Sequence, residues 1–236
     1  GKAKYTTEAE LHLPGMLQGK GLFSPYPHAR ILSIDTSRAE RLPGVKVVLT
    51  GRDAPLARTG QCIYDQHILA RTKVRFVGDA VAAVAADTLE IAEEALELIR
   101  VEYEELPAVF DAEEAMKADC PLIIHPDLAS YKRPIYHYLG RDLPGPNVHT
   151  HHKVRRGNVE DGFRKADLIV ENRFSTARMS HGQLEPANSV AYVESDGTLV
   201  VWSSSKMVYA NQRTISETFN IPPSKVRVMV HYVGGN

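Results

Sequence analysis

The densest group of chemically capable side chains is Arg178-Met179-Ser180-His181-Gly182-Gln183-Leu184-Glu185-Pro186. It sets a guanidinium, a hydroxyl, an imidazole, a carboxamide and a carboxylate between two strand candidates. Such a set suits a polar loop at a pocket, where the amide and carboxylate orient a ligand and the imidazole handles protons near neutral pH. A structural turn in which a buried Glu185 pairs with Arg178 accounts for the same residues equally well. A second feature is Val233-Gly234-Gly235-Asn236, where strand-like sequence runs into two glycines. Without a Cβ, such a loop lets the backbone approach a ligand closely. A third is His149-Thr150-His151-His152. Neutral imidazoles bind zinc or copper. Here no cysteine or carboxylate stands at ligand spacing, so the three histidines read as part of a polar, solvated linker, with metal binding as the alternative. Arg155-Arg156-Gly157-Asn158 resembles an anion site at a helix N-terminus, but a surface turn explains it more simply. Gly78-Asp79 reads as a turn before a strand.

Several chemistries are excluded by pattern. The chain has no G-x-G-x-x-G, no P-loop, no G-x-S-x-G elbow and no cysteine with an evident partner histidine. A self-contained nucleotide site and a hydrolase are therefore unsupported. With 28 Lys+Arg against 29 Asp+Glu, the formal net charge of −1 gives no global reason to bind nucleic acid or an anionic membrane. The longest purely apolar run, Ala80 to Ala86, falls far short of the roughly 20 residues of a membrane span. Cys62 and Cys120 make no disulfide framework, which predicts a reduced, cytoplasmic chain. The 236 residues are 43% hydrophobic and 24% charged, an ordinary globular balance.

The elements that must position these residues fall into two groups. Over about 1–115, strands and helices alternate. Leu32 and Ile34 alternate with Ser33 and Asp35, residues 36–42 form a short helix ended by Pro43-Gly44, and Val45–Thr50 is a strand. Ala80–Ala86 reads as a strand covered on both faces. The next helix has Asp87 as cap and Glu90 in a capping box, with Leu89, Ala92, Leu96 and Ile99 on its apolar face and its glutamates in solvent. The period then drops to two through Val101 and Tyr103, and Asp111 caps a short helix reaching Lys117. Residues 120–157, with Pro121, Pro126, Pro134, Gly140, Pro144, Gly145 and Pro146, read as an extended linker and domain boundary. The remainder is β-rich. It holds a short helix capped by Asn158, a strand at Leu168–Phe174, and a hairpin turning at Ser195-Asp196-Gly197. A helix follows over Met207–Phe219, with Val208, Ile215 and Phe219 on one face, then a strand alternating from Val226 to Tyr232. The small second unit and its unfinished glycine loop suggest a piece of something larger.

An ordered set of segments resembles the molybdenum-binding large subunit of the xanthine dehydrogenase and aldehyde oxidase family. These are Gly1-Lys2-Ala3-Lys4-Tyr5-Thr6, Pro27-His28-Ala29-Arg30-Ile31, Pro43-Gly44-Val45-Lys46-Val47-Val48, and Arg75-Phe76-Val77-Gly78-Asp79-Ala80-Val81-Ala82. They continue with Val101-Glu102-Tyr103-Glu104-Glu105-Leu106-Pro107, His181-Gly182-Gln183-Leu184-Glu185-Pro186 and Val233-Gly234-Gly235-Asn236. Each is weak alone; their order and spacing carry the resemblance over nearly the whole chain.

The resemblance implies an α+β (mixed α/β) fold. An a/b hammerhead domain would occupy 1–118, an extended linker 119–157, and the incomplete N-terminal part of the first molybdopterin-binding domain 158–236. It implies a molybdenum–molybdopterin cofactor, with [2Fe–2S] clusters and FAD on partner domains or subunits, and hydroxylation of an aldehyde or N-heterocycle with oxygen drawn from water. His181, Gly182, Gln183, Gly234, Gly235 and Asn236 would then be adjacent to the cofactor pocket. None of them is expected to be the base or nucleophile, because the family's general-base glutamate lies far downstream. Met179 stands where many members carry a glutamine that supports an oxygen ligand of the metal. The chain by itself is accordingly expected to be inactive. The competing expectation is a non-catalytic assembly or docking module of such a complex.

Overall fold

The computed structural model describes residues 5–6, 13–60, 62–132 and 143–235. Gly1–Lys4, Pro134, Gly140 and Asn236 lie outside the described residues.

The first half runs β1 (Gln18–Phe23), β2 (Ala29–Asp35), α1 (Ser37–Glu40), β3 (Val45–Thr50), the two-residue strands β4 (Arg58–Thr59), β5 (Gln66–His67) and β6 (Lys73–Val74), then β7 (Ala80–Ala86), α2 (Leu89–Leu98), β8 (Arg100–Glu105) and α3 (Ala112–Met116). β7 is the centre of one antiparallel sheet, between β1 and β3. β2 is the centre of another, between β6 and β8. The alanine-rich sequence of β7 explains its place. Small side chains let α2 approach closely, so Ala82, Val84 and Ala86 form a core with Ala92, Ala95 and Ile99. Val81 instead packs with Ala29, Ala70 and Val74. Buried residues of both parities thus cover this strand on both faces, as its lack of polar alternation predicts.

The helix after β7 departs from expectation in its cap. Thr88, not Asp87, is the N-cap, and its side chain accepts from the Ile91 N–H at 3.3 Å. Asp87 instead pairs with Lys46 at 2.8 Å, while its backbone N–H donates to the Gly44 carbonyl. The buried face also shifts: Ala92 and Ala95 are buried, whereas Leu89 is exposed at the helix start. Replacing Thr88 with Ala should cost about 1 kcal/mol. Asp87→Ala should cost less, since exposed ion pairs contribute little. Denaturant midpoints of the two variants check the assignment. α3 is capped as expected, with Asp111 Oδ1 accepting from Glu114 N–H at 2.9 Å.

The Pro-rich segment carries no strand among its described residues, but it is anchored. Tyr131 is buried beneath Arg58, whose guanidinium lies 4.4 Å from the ring centroid. The Asn147 carboxamide donates to the carbonyls of Leu122 and Ala115 at 2.8 and 3.1 Å, and accepts from Ile124 N–H at 2.9 Å.

The second half contains α4 (Val159–Lys165), β9 (Ser189–Val193), β10 (Leu199–Ser203), α5 (Val208–Phe219) and β11 (Val226–Met229). Asn158 caps α4 through the Asp161 N–H, as its type predicts. β9 and β10 form the expected hairpin, with Gly197 at φ +81° in the turn. β11 joins β10 in parallel, α5 serving as the crossover. In α5 the buried residue is Ser216, which donates to the Ile221 carbonyl, whereas Phe219 is exposed. Asn220, at φ +54°, ends the helix before the two prolines.

Two strand expectations fail. Residues 168–174 form no strand, and Leu168, Ile169, Val170 and Phe174 are all exposed. A strand needs a hydrogen-bonding neighbour, and among the described residues nothing pairs with this stretch. The last strand stops at Met229 rather than Tyr232. Trp202–Met229 is the final pair, and beyond it the chain leaves the sheet.

Candidate functional site

Glu185 is 5% exposed, and both of its carboxylate oxygens are engaged. Oε2 accepts from Gly234 N–H at 2.8 Å, and Oε1 accepts from Thr6 N–H at 3.1 Å. The Glu185 N–H in turn donates to the Gly234 carbonyl at 3.3 Å. One side chain therefore ties together the N-terminal segment, the 181–186 loop and the glycine loop. Arg178 is exposed and is not its partner, so in the alternative of a structural turn Glu185 is buried as foreseen but meets backbone donors in place of Arg178. Two N–H groups satisfy a carboxylate with no side-chain entropy to lose, which an exposed arginine cannot match.

Burial raises the Glu185 pKa, but the hydrogen bonds from Gly234, Thr6 and the Asn188 side chain outweigh it and hold the carboxyl below 4.5. Its stabilising contribution is thus complete above about pH 4.5 and is lost as pH falls through the depressed folded value. Asp196, in the hairpin turn, is held down to about 2 by Thr198 and then by Lys225, so its contribution fades only between pH 3.8 and about 2. Melting temperature measured against pH should fall on acidification from pH 4.5, and Glu185→Gln should flatten that slope in its upper part.

The two glycines of the loop are required for close approach. A Cβ on Gly234 would run into Glu185 Cβ and lie 3.0 Å from the Tyr5 ring. Gly235 has φ +136°, and a Cβ there would run into Gln183 Cβ and lie 3.1 Å from Gln183 Cα. The structure therefore brings Gln183, Gly234 and Gly235 together. His181 and Gly182 lie on the same loop but are exposed, with Gly182 at φ +57° and nothing within 4 Å of where a Cβ would stand. Asn236 lies outside the described residues. Met179 is 85% exposed. Before the glycines, His231 stacks on Trp202 with ring centroids 4.3 Å apart and planes 15° from parallel. This stack steers the chain from the end of β11 toward Gly234.

Thr6, Tyr5 and Trp202 belong to this junction; the first two lie in a segment that carries the family resemblance, but nothing in the sequence placed any of the three beside Glu185 or the glycine loop. Thr6 is 179 residues from Glu185, and nothing in its local pattern marks the contact. Of the histidine cluster, His149 and Thr150 are within 2.6 Å through Nδ1 and Oγ1. Among the described residues no group of three or more His, Cys, Asp or Glu is placed to hold a metal ion.

Residues 1–107 match the family model "Aldehyde oxidase and xanthine dehydrogenase, a/b hammerhead domain", and residues 142–236 match "Molybdopterin cofactor-binding domain". The chain is 38% identical to a probable xanthine dehydrogenase subunit of Bacillus subtilis (strain 168), over all of this chain and 29% of that protein. It is 35% identical to the "Nicotinate dehydrogenase large molybdopterin subunit" of Eubacterium barkeri, over all of this chain and 51% of that protein. Among solved structures, quinoline 2-oxidoreductase from Pseudomonas putida 86 superposes with a TM-score of 0.81 at 31% identity, covering all of this chain and 29% of that one. The aldehyde oxidoreductase of Desulfovibrio gigas gives a TM-score of 0.82 at 29% identity, covering 99% of this chain and 25% of that one. The chain thus spans about half or less of the length of these relatives. With the two family models matched in order along it, and a glycine loop and 181–186 loop joined through Glu185, the chain belongs to the xanthine dehydrogenase and aldehyde oxidase family of molybdenum hydroxylases.

Proposed function

We propose that this chain is part of the molybdopterin-binding catalytic subunit of a molybdenum hydroxylase that hydroxylates an aldehyde or N-heterocycle with water-derived oxygen. The observation that carries this reading is the Glu185 junction, which fixes the 181–186 loop against the glycine loop within residues matched by a cofactor-binding family model. The residues fit such a cofactor. The glycines keep side chains out of the junction, and the exposed His181 imidazole, Gln183 carboxamide and nearby backbone amides are donors for an oxygen-rich group. When bound, the cofactor supplies the two-electron oxidation at carbon. His181, Gly182, Gln183, Gly234 and Gly235 form part of one wall of its pocket and orient it. The general base and the rest of the pocket come from outside these residues, so the 236-residue chain alone is inactive.

The division into a hammerhead domain at 1–118, a linker at 119–157 and part of a molybdopterin-binding domain at 158–236 belongs to the same reading. Electrons leave through [2Fe–2S] and FAD groups on partner domains or subunits. A cytoplasmic location is supported by the free thiols of Cys62 and Cys120, and no described helix is long and apolar enough to cross a membrane. One observation favours a second reading, a docking module without catalysis: the exposed apolar stretch Leu168-Ile169-Val170 offers a surface for another polypeptide. Elemental mass spectrometry of the intact complex decides between them, together with deletion of residues 178–186. The catalytic reading expects about one molybdenum per copy, as one cofactor site requires, and loss of activity on deletion. A cofactor-replete complex without molybdenum, or one whose activity survives the deletion, would leave the docking role.

A further inference from the structure

Away from the glycine loop, a cavity of about 120 Å³ opens between β5, β6 and the anchored Pro-rich segment. Its lining includes His67, Lys73, Arg75, His125, Asp65 and Asp79. The volume is well above the roughly 10–15 Å³ that a single water needs.

The protonation of His67 follows from its neighbour. Arg58 Nε lies 3.4 Å from His67 Nε2, and a guanidinium can only donate. Nε2 is therefore the acceptor, and the imidazole proton sits on Nδ1. That Nδ1–H is buried and has no partner among the described residues. A buried donor left unpaired is costly, so such groups in native proteins are met by an acceptor. Burial, then the charges of Arg58, Arg71 and Arg75, push the imidazole below its ordinary pKa, which keeps it neutral and the tautomer fixed.

The surroundings favour a negative acceptor. Burial, then Arg75 and Arg30, lower the Lys73 pKa, and burial followed by Arg75 lowers that of His125. Arg58 and Arg71 add positive charge beside this lining, in which Lys73 and Arg75 stand against Asp65 and Asp79. Asp79 Oδ2 accepts from the Arg75 backbone N–H at 3.1 Å while burial raises the Asp79 pKa, and Asp65 Oδ2 stands 3.8 Å from His125 Nε2. Arg58 itself is pinned over Tyr131 and is not available to move away.

We propose that this cavity binds a small inorganic oxyanion of phosphate or sulfate size, held by the His67 Nδ1–H together with Lys73 and Arg75. The site is independent of the molybdenum reading, because none of its residues belongs to the Glu185 junction.

The test is equilibrium dialysis of the full-length protein against radiolabelled inorganic phosphate, with unlabelled sulfate as competitor. The variants are His67→Phe, Lys73→Gln and Arg75→Gln, with Lys132→Gln as a control outside the cavity. The expected result is saturable binding that sulfate displaces. Each cavity variant should weaken it roughly tenfold, the effect of losing one charge-assisted or buried hydrogen bond, while Lys132→Gln leaves it unchanged. Should His67→Phe fail to fold, the glutamine variants of the part-exposed Lys73 and Arg75 become the deciding pair. Absence of saturable phosphate binding by the wild-type protein overturns the proposal. So does binding that persists undiminished in folded Lys73→Gln and Arg75→Gln proteins.

Discussion

Gly235→Ala is expected to separate the glycine loop from the 181–186 loop. Two costs add at this position. The backbone sits at φ +136°, a conformation that residues with a Cβ rarely adopt, and the new methyl would occupy the space of Gln183 Cβ. Backbone strain and overpacking together should destabilise the junction by about 3 kcal/mol. In a chain of this size each kcal/mol lowers the melting temperature by roughly 2–4 °C. Gly182→Ala provides the comparison. Its φ of +57° is also positive, but nothing lies within 4 Å of the added carbon, so only the left-handed penalty of about 1 kcal/mol applies. Thermal melts of the full-length protein give the first readout, and molybdenum retained through purification gives the second. Gly235→Ala should lose both; Gly182→Ala should lose little of either. Equal behaviour of the two variants would mean that the close contact with Gln183 does not hold the loop.

Glu185→Ala is expected to have the second largest effect. It removes the acceptor for two N–H groups, those of Gly234 and Thr6, which stay behind in a buried junction. Hydrogen bonds to a charged group contribute about 1.5–3 kcal/mol each. Part of that loss is recovered if water reaches the gap, so a total of about 3 kcal/mol is the reasonable magnitude. Glu185→Gln should fall between alanine and wild type, because a carboxamide can accept from one N–H but sets its own NH₂ against the other. Arg178→Ala should change stability by no more than about 0.5 kcal/mol, as an exposed residue away from the junction does. Urea unfolding of the three variants orders them. A large cost for Arg178→Ala would restore the side-chain pair that the backbone donors displace.

The elements that depend on neighbours a few residues away were legible in the sequence. Asn158 and Asp111 capped the helices they preceded, because a cap needs only an acceptor side chain and an N–H three residues on. The hairpin at Ser195-Asp196-Gly197 followed from a glycine able to take φ +81°. The alanine-rich composition of Ala80–Ala86 was enough to require cover on both faces. The polar loop and the glycine loop were each marked by their residue types, but that they face one pocket was implied only by the family resemblance.

What only the tertiary structure decided was partnership. Leu168–Phe174 has the composition of a strand, but a strand exists through its neighbour, and none of the described residues supplies one. β11 ended with its last pair, Met229 against Trp202, although its own alternating pattern runs on to Tyr232. Thr88 rather than Asp87 is the cap, and Asp87 pairs with Lys46, distant in sequence. Glu185 found its partners 49 and 179 residues away, in backbone N–H groups that every residue type but proline carries. A local pattern records what a residue can do with its near neighbours; which distant group meets it is fixed only when the chain closes, because backbone donors look alike in any sequence.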